Sequence, residues 1–184
     1  MKVMRTRGND LRQLRRTRGL TLTGLAATLG RSVGWLSQVE RDLSQPSVDD
    51  LRQLAAVLDV AVSSLMVPHA DPNEADHIVR ADKRRPIGNR EAGLVEALLS
   101  PDLSDDFEVV HSTFAPGAAL TAPKQRDTQE VGHVVSGQLD LWIDGQLFQV
   151  GPGDSFRIKG EPYRWANPHD VPCVAVWVIS PPVY

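Results

Sequence analysis

Two sets of side chains in this 184-residue sequence are of types that can do chemistry. The first is a run of polar, small and basic residues: Arg31, Ser32, Val33, Gly34, Trp35, Ser37, Gln38 and Arg41. An amide such as Gln38 pairs bidentately with an adenine edge, and a branched methyl such as Val33 packs on a thymine methyl. Guanidinium groups such as Arg31 and Arg41 suit phosphates, which position a protein without specifying sequence. The second set is Gln125, Glu130, Tyr163 and Trp165. A carboxylate beside aromatic faces suits a small cation, each ring quadrupole adding about 0.5–2 kcal/mol. Metal chemistry is poorly served. The single Cys173 lacks the second sulfur of a thiolate cluster, and zinc, iron or manganese need several N, O or S donors converging at about 2 Å. His133 lies three residues after Glu130, so strand alternation sends it to the opposite face. His111 has no fixed parity, and His69, His77 and His169 fall in turns or a linker.

The elements that must position these residues differ between the two ends of the chain. Leu11 and Leu14 share a helical face, with Asp10 as cap and Gly19 as stop. Leu22, Leu25, Ala26 and Leu29 recur at i, i+3, i+4 and i+7, the stripe of an amphipathic helix ended by Gly30. Ser32 caps a third helix with Leu36 and Val39 inward. Ser47 caps a fourth, with Asp49 and Asp50 near its positive end and Leu51, Leu54 and Leu58 as its stripe. Ser63–Val67 adds a turn, which makes five helices. Pro68–Asp76 is polar and proline-punctuated, a linker. From Ile78 onward short apolar runs alternate with Gly/Pro/Asn turns: Phe107–Phe114, Glu130–Val135, Gln138–Ile143, Gln146–Val150, Ser155–Ile158, Tyr163–Ala166 and Cys173–Ile179. Strands at that spacing predict an all-β sandwich or barrel. The expected domains are 1–67, a linker over 68–77, and 78–184.

Charge separates the same two parts. Residues 1–67 hold ten Lys/Arg against six Asp/Glu, a net of +4; residues 68–184 hold ten against seventeen, a net of −7. The overall −3 argues against a uniformly basic nucleic-acid coat, while the split suggests modules with different partners, the first anionic. Hydrophobic residues at 41% and charged at 23% argue against gross disorder. No apolar run reaches the ~18 residues of a membrane span, and Met1–Asp10 lacks the apolar stretch of a signal peptide. With a lone, valine-flanked cysteine, the expected home is a reducing cytoplasm.

Within Leu22–Arg41 the small Ala26 stands where two helices must approach closely, and Gly30 where the turn wants a left-handed backbone. Apolar residues fill the fourth, eighth, fifteenth and eighteenth places: Leu25, Leu29, Leu36 and Val39. That is the pattern of a helix-turn-helix, whose second helix lies in the major groove. With Gly19–Thr21, Ser37–Glu40 and Pro46–Ser47, residues 8–67 resemble the phage-repressor-like (Xre/Cro-type) regulators. The resemblance implies a lambda-repressor-like domain, base contacts from Ser32, Val33, Gly34, Trp35, Ser37 and Gln38 at the start of the third helix, and a structural Glu40 paired with a helix-1 arginine, here Arg15. The run Arg12, Arg15, Arg16 and Arg18 otherwise reads as a solvated helix face. Arg31 departs from the family, which usually has an apolar residue after the turn glycine. Its stem covers the core while its head reaches a phosphate, or the turn packs differently and Val33 is no longer a reader.

Residues 104–180 resemble the cupin barrel, a double-stranded β-helix or jelly roll. Gly117, Pro123, Gln125, Glu130 and Gly137 keep the spacing of the family motif G-x5-H-x-H-x4-E-x6-G. Tyr163 stands in the place of its third histidine, four residues before Asn167. The resemblance implies three imidazoles and one carboxylate around a metal. Only Glu130 remains, so the resemblance implies a metal-free cavity containing Gln125, Glu130, Tyr163 and Trp165 that binds a small, amine-like cation and needs no cofactor. Alternation puts Tyr163, Trp165 and Asn167 on one face, and Glu130, Gly132 and Val134 on another. Tyr163 and Trp165 equally fit barrel core, with Glu130 bonded to a neighbouring donor; Trp142 and Trp177 fit pocket, core or dimer interface. The basic Arg80–Arg85 reaches flanking DNA or is a solvated strand.

The expected fold is therefore multidomain α + β, and the expected function a ligand-responsive, non-enzymatic transcription regulator, homodimeric on a pseudo-palindromic operator in double-stranded DNA. Two alternatives stand beside it. One is a metal-dependent cupin dioxygenase or isomerase with an accessory helical domain. The other is an effector-free cupin serving only as a dimerisation scaffold.

Overall fold

A computed structural model describes residues 8–60, 62–66, 74, 77–87, 91–101, 103 and 105–183. The expected linker falls largely outside these residues. The described chain forms two compact units: the helices up to residue 87 with segment 100–105, and the strands of 91–99 with 106–183. The helical unit thus takes in residues beyond 78, where the sequence reading began the second domain.

Helices α1 (Gly8–Thr17), α2 (Leu22–Thr28), α3 (Val33–Val39) and α4 (Val48–Leu58) are followed by the single turn α5 (Val62–Leu65). Leu11, Leu14, Leu25, Leu36, Leu54 and Leu58 are almost wholly buried, so the apolar stripes meet in one core. Side-chain caps start three helices. Thr21 accepts from Gly24 N–H, Ser32 from Trp35 N–H, and Ser47 from Asp50 N–H. Asp50 returns its carboxylate to Ser47 N–H, completing a capping box. Gly30 takes φ of +61°, the left-handed turn expected of it.

Asp10 corrects one expectation. It sits inside the first turn of α1, not at its cap, and is buried. Its carboxylate accepts from Arg85 Nη2 at 2.5 Å and from Leu103 N–H at 3.0 Å. Arg85 opens the short strand β1 (Arg85–Ile87), so this member of the basic cluster is buried in an ion pair and presented neither to solvent nor to DNA. Arg80, in turn, pairs with Glu74.

The second unit contains β2 (Leu94–Leu98), β3 (Glu108–Phe114), β4 (Gln129–Ser136), β5 (Leu139–Ile143), β6 (Gln146–Val150), β7 (Ser155–Lys159), β8 (Tyr163–Ala166) and β9 (Cys173–Ser180). They form two antiparallel sheets, ordered β2–β3–β9–β4–β7 and β6–β5–β8. Seven strands lie within a residue or two of the apolar runs that forecast them. Strand β2 was not foreseen, because its surroundings, EAGLVEALL, are rich in helix formers. Pairing decides its state: Leu94, Glu96 and Leu98 oppose Phe114, Ser112 and Val110 on the inner face of β3. Inner residues of the other strands include Val134, Leu139, Leu141, Ala175 and Trp177. Gly132 lies between Phe156 on β7 and Trp177 on β9, whose rings meet edge to face with centroids 4.9 Å apart. A Cβ on residue 132 would come within 2.1 Å of the Phe156 ring, so any larger residue there must displace that ring.

Candidate functional site

The first group of candidate residues clusters on α3 and the turn before it. Leu36 and Val39 are buried, which fixes the helix against its neighbours and turns the opposite side outward. Ser32, Val33, Gly34, Gln38 and Arg41 are exposed, while Trp35 and Ser37 are half-buried. Val33, at 40% exposure, is a surface methyl group and has not turned into the core. The Ser32 hydroxyl is engaged as the α3 cap. Arg41 Nε donates to Ser37 O at 3.1 Å, folding its stem along the end of the helix.

Arg31 does more than reach outward. Its Nε and Nη2 donate to Asp50 Oδ1 at 2.9 and 2.6 Å, and its guanidinium carbon stands 5.2 Å from the Trp35 ring centroid. A guanidinium held in this way has a defined direction yet keeps 48% of its side chain exposed. Burial opposes ionisation of Asp50, but the Ser47 hydroxyl and N–H, with Arg31, outweigh it and hold the carboxyl below its ordinary range. Behind α3, Arg15 grips Glu40 through Nε at 2.6 Å and Nη2 at 3.0 Å, the pair that the sequence forecast. Both are buried, so Glu40 keeps its charge away from the exposed face.

The second group lies in the strand unit, where Glu130 of β4 and Tyr163 of β8 both point inward and are 1% and 6% exposed. Thr128 Oγ1 donates to Glu130 Oε1 at 2.8 Å, and Arg126 Nη1 stands 3.8 Å from the same oxygen. Burial, with Glu130 adjacent and hydrogen-bonded, pushes the Tyr163 phenol up to about 12, so it stays protonated and donates to the carboxylate. Trp165 is buried, its ring edge-on to Phe114 with centroids 4.7 Å apart. Gln125 is exposed, and its Nε2 donates to Gly160 O at 2.8 Å, so the amide is committed to a loop and not to Glu130. The structure therefore brings Glu130 and Tyr163 together, sets Trp165 among core aromatics, and leaves Gln125 outside.

Sequence reasoning missed Arg126, Thr128 and the inward pair Glu96–Ser112, joined by a 3.0 Å hydrogen bond. The signal for Glu96 was the polar residue at the centre of the Leu94, Glu96, Leu98 alternation. His133 faces outward as expected, with Nδ1 3.0 Å from Ser155 Oγ, and His111 falls on the outer side of β3. Trp142 is also on an outer face, under the Arg164 guanidinium at 3.6 Å.

Comparison with known proteins follows the same division. The helix-turn-helix domain family matches residues 8–64, and the cupin domain family residues 110–179. The HTH-type transcriptional regulator SutR of Escherichia coli is 31% identical over 152 residues, covering 82% of this chain and 80% of its own. The chain belongs to the helix-turn-helix transcriptional regulators with a C-terminal cupin domain. The regulator PuuR of the same organism is 22% identical over 161 residues, covering 87% of this chain and 86% of its own. Among solved structures, an RmlC-like cupin from Shewanella frigidimarina shares the fold of the regulator's strand unit, with TM-score 0.50 and 19% identity over 58% of this chain and 91% of that one.

Cupin membership raises the question of a metal, and the regulator's donor set does not fit one. The imidazole positions hold Pro123, Gln125 and Tyr163. A proline offers no side-chain donor, the Gln125 amide is bonded elsewhere, and the phenol is held protonated. Among the described residues no three His, Cys, Asp or Glu side chains form a metal-binding group. Among the same residues, no helix of the regulator is long and apolar enough to cross a membrane.

Proposed function

We propose that this regulator reads a pseudo-palindromic operator as a homodimer and responds to a small cationic, amine-like effector bound without metal inside its cupin. On this reading the helices are a lambda-repressor-like domain, the strands a jelly-roll barrel, and the protein a cytoplasmic non-enzyme. The exposed outer side of α3 carries the DNA half of the proposal. Gln38 and Val33 read base edges, Ser32, Gly34, Trp35 and Ser37 lie beside them at the start of the same helix where base edges come within reach, and Arg31 and Arg41 hold phosphates. Two copies would set their recognition helices about 34 Å apart, one turn of the duplex.

The buried carboxylate of Glu130 carries the effector half. A carboxylate inside a barrel favours a cationic partner, and Tyr163, its hydroxyl donating to that carboxylate, supplies a ring face. Gln125 and Trp165 belong to this site only if effector binding loosens the Gly160 and Phe114 contacts that now hold them. Effector would act by preferring one arrangement of the two DNA readers over another, which requires different affinity for the two states.

Gel shift and footprinting on the DNA upstream of the protein's own operon test the first half; absence of a protected palindrome at physiological salt overturns it. Thermal-shift screening with alkylamines and betaines tests the second. The expected result is a rise in melting temperature that disappears in Glu130→Gln, whereas a flat response leaves the cupin a scaffold. Stoichiometric iron, manganese or zinc lost in Glu130→Ala would instead favour a metal enzyme.

A further inference from the structure

The segment that leads into β4 turns every second residue inward. Lys124 and Tyr163 exchange both backbone hydrogen bonds across an isolated antiparallel bridge, each at 2.8 Å, so their side chains share the inner face. From there exposure alternates: Gln125, Asp127 and Gln129 are exposed, Lys124 and Arg126 half-buried, and Thr128 and Glu130 buried. Two cations therefore enter the strand unit beside Glu130. Lys124 Nζ is spent on Glu91 Oε1 at 2.6 Å. Arg126 Nη1 instead stops 3.8 Å from Glu130 Oε1, beyond hydrogen-bond reach, and that oxygen already accepts from Thr128. Among the described residues the Arg126 side chain donates no hydrogen bond, and 25% of it is exposed, so its planar fork of five donors is open to a ligand. Burial and then Glu130 push the Tyr163 phenol up while Arg126 acts on it in the opposite sense, which sets both charges beside that ring.

We infer that Arg126 is a second anchor of the effector site and that the effector is a compact amino-carboxylate, its ammonium on Glu130 and its carboxylate on the Arg126 guanidinium. The inference rests on the amine-binding reading of Glu130 and narrows it. Lys124 with Glu91 and Arg126 with Glu130 cancel in charge. A ligand with only a positive charge is attracted by Glu130 and repelled by Arg126, whereas a zwitterion is attracted at both ends. The guanidinium fork matches a carboxylate through two parallel hydrogen bonds, a geometry that an ammonium cannot offer. Spacing limits the ligand further. Because the two anchors stand 3.8 Å apart, the ligand's own charges must be neighbours, as in an α-amino acid or a betaine and unlike a long-chain amino acid with its amine at the far end.

Titration calorimetry on the full chain with paired probes tests this. The standard α-amino acids are each compared with their methyl esters, and glycine betaine with choline, so that every pair differs in the carboxylate and keeps the cation. A zwitterion is expected to bind, and its partner without the carboxylate to bind at least tenfold more weakly. Arg126→Gln should weaken the zwitterion at least tenfold and leave the ester unchanged or tighter, while Glu130→Gln should weaken both. Esters that bind as tightly as zwitterions, with no effect of Arg126→Gln, overturn the carboxylate anchor and leave the amine reading standing. Binding that survives Glu130→Gln but not Arg126→Gln overturns the amine reading and this inference together, as does the absence of binding in both sets. Arg126→Lys keeps the question decidable if the glutamine variant melts at a lower temperature. It retains the charge and loses the fork, so it should weaken the zwitterion and not the ester; unchanged zwitterion affinity overturns the forked contact.

Discussion

At the scale of single residues, the exposed side of α3 separates readers from supports. Gln38 has its amide on the surface, so Gln38→Ala should cost about 1–3 kcal/mol of operator affinity and relax the preference at one base position. Binding measured against an operator series with each base varied checks this; uniform weakening at every position would assign Gln38 to phosphate instead. Asp50 is a support. Its carboxyl lies below its ordinary range in the folded state, so it stabilises the fold above the unfolded-state pKa of about 4, and that contribution is lost as pH falls through the lower folded value. Melting temperatures of wild type and Asp50→Asn should therefore differ at neutral pH and converge in acid. A constant difference would show that the loss is packing and not ionisation.

At the scale of elements, the strands are held by side chains that meet across the register. Gly132 is the tightest such point, with Phe156 and Trp177 closing over it. Gly132→Ala should destabilise the protein by about 1–3 kcal/mol through overpacking, and Phe156→Leu in the same chain should recover part of the loss. Urea unfolding of the single and double variants measures both; an additive double variant would mean that the two residues do not compete for one space.

At the scale of the whole molecule, the −3 total is the sum of +4 over residues 1–67 and −7 over the remainder. Operator affinity should thus be strongly salt-dependent, the logarithm of the binding constant falling linearly with log salt by about 0.9 per phosphate neutralised. Arg41→Ala should reduce that slope by about 1. Arg31→Ala should reduce it less, because its charge is already offset by Asp50. Equal slopes for Arg41→Ala and wild type would remove Arg41 from the DNA contacts.

Local chemistry determined much of this protein before any fold was known. Leu25, Leu29, Leu36 and Val39 mark the helix-turn-helix, Ser32 and Ser47 its caps, and Gly30 its left-handed turn, because helical period, capping and positive φ act over a few residues. The Arg15–Glu40 pair and the inward positions of Glu130 and Tyr163 were also legible, since family spacing and strand alternation both fix which way a side chain faces. Tertiary structure alone decided the rest. Asp10 left its expected cap to meet Arg85 and Leu103, β2 formed in a helix-favouring stretch, and Arg126 came to Glu130 while Gln125 turned to Gly160. Each depends on partners brought together by long-range pairing, whose burial and hydrogen bonds outweigh a local preference of under about 1 kcal/mol per residue.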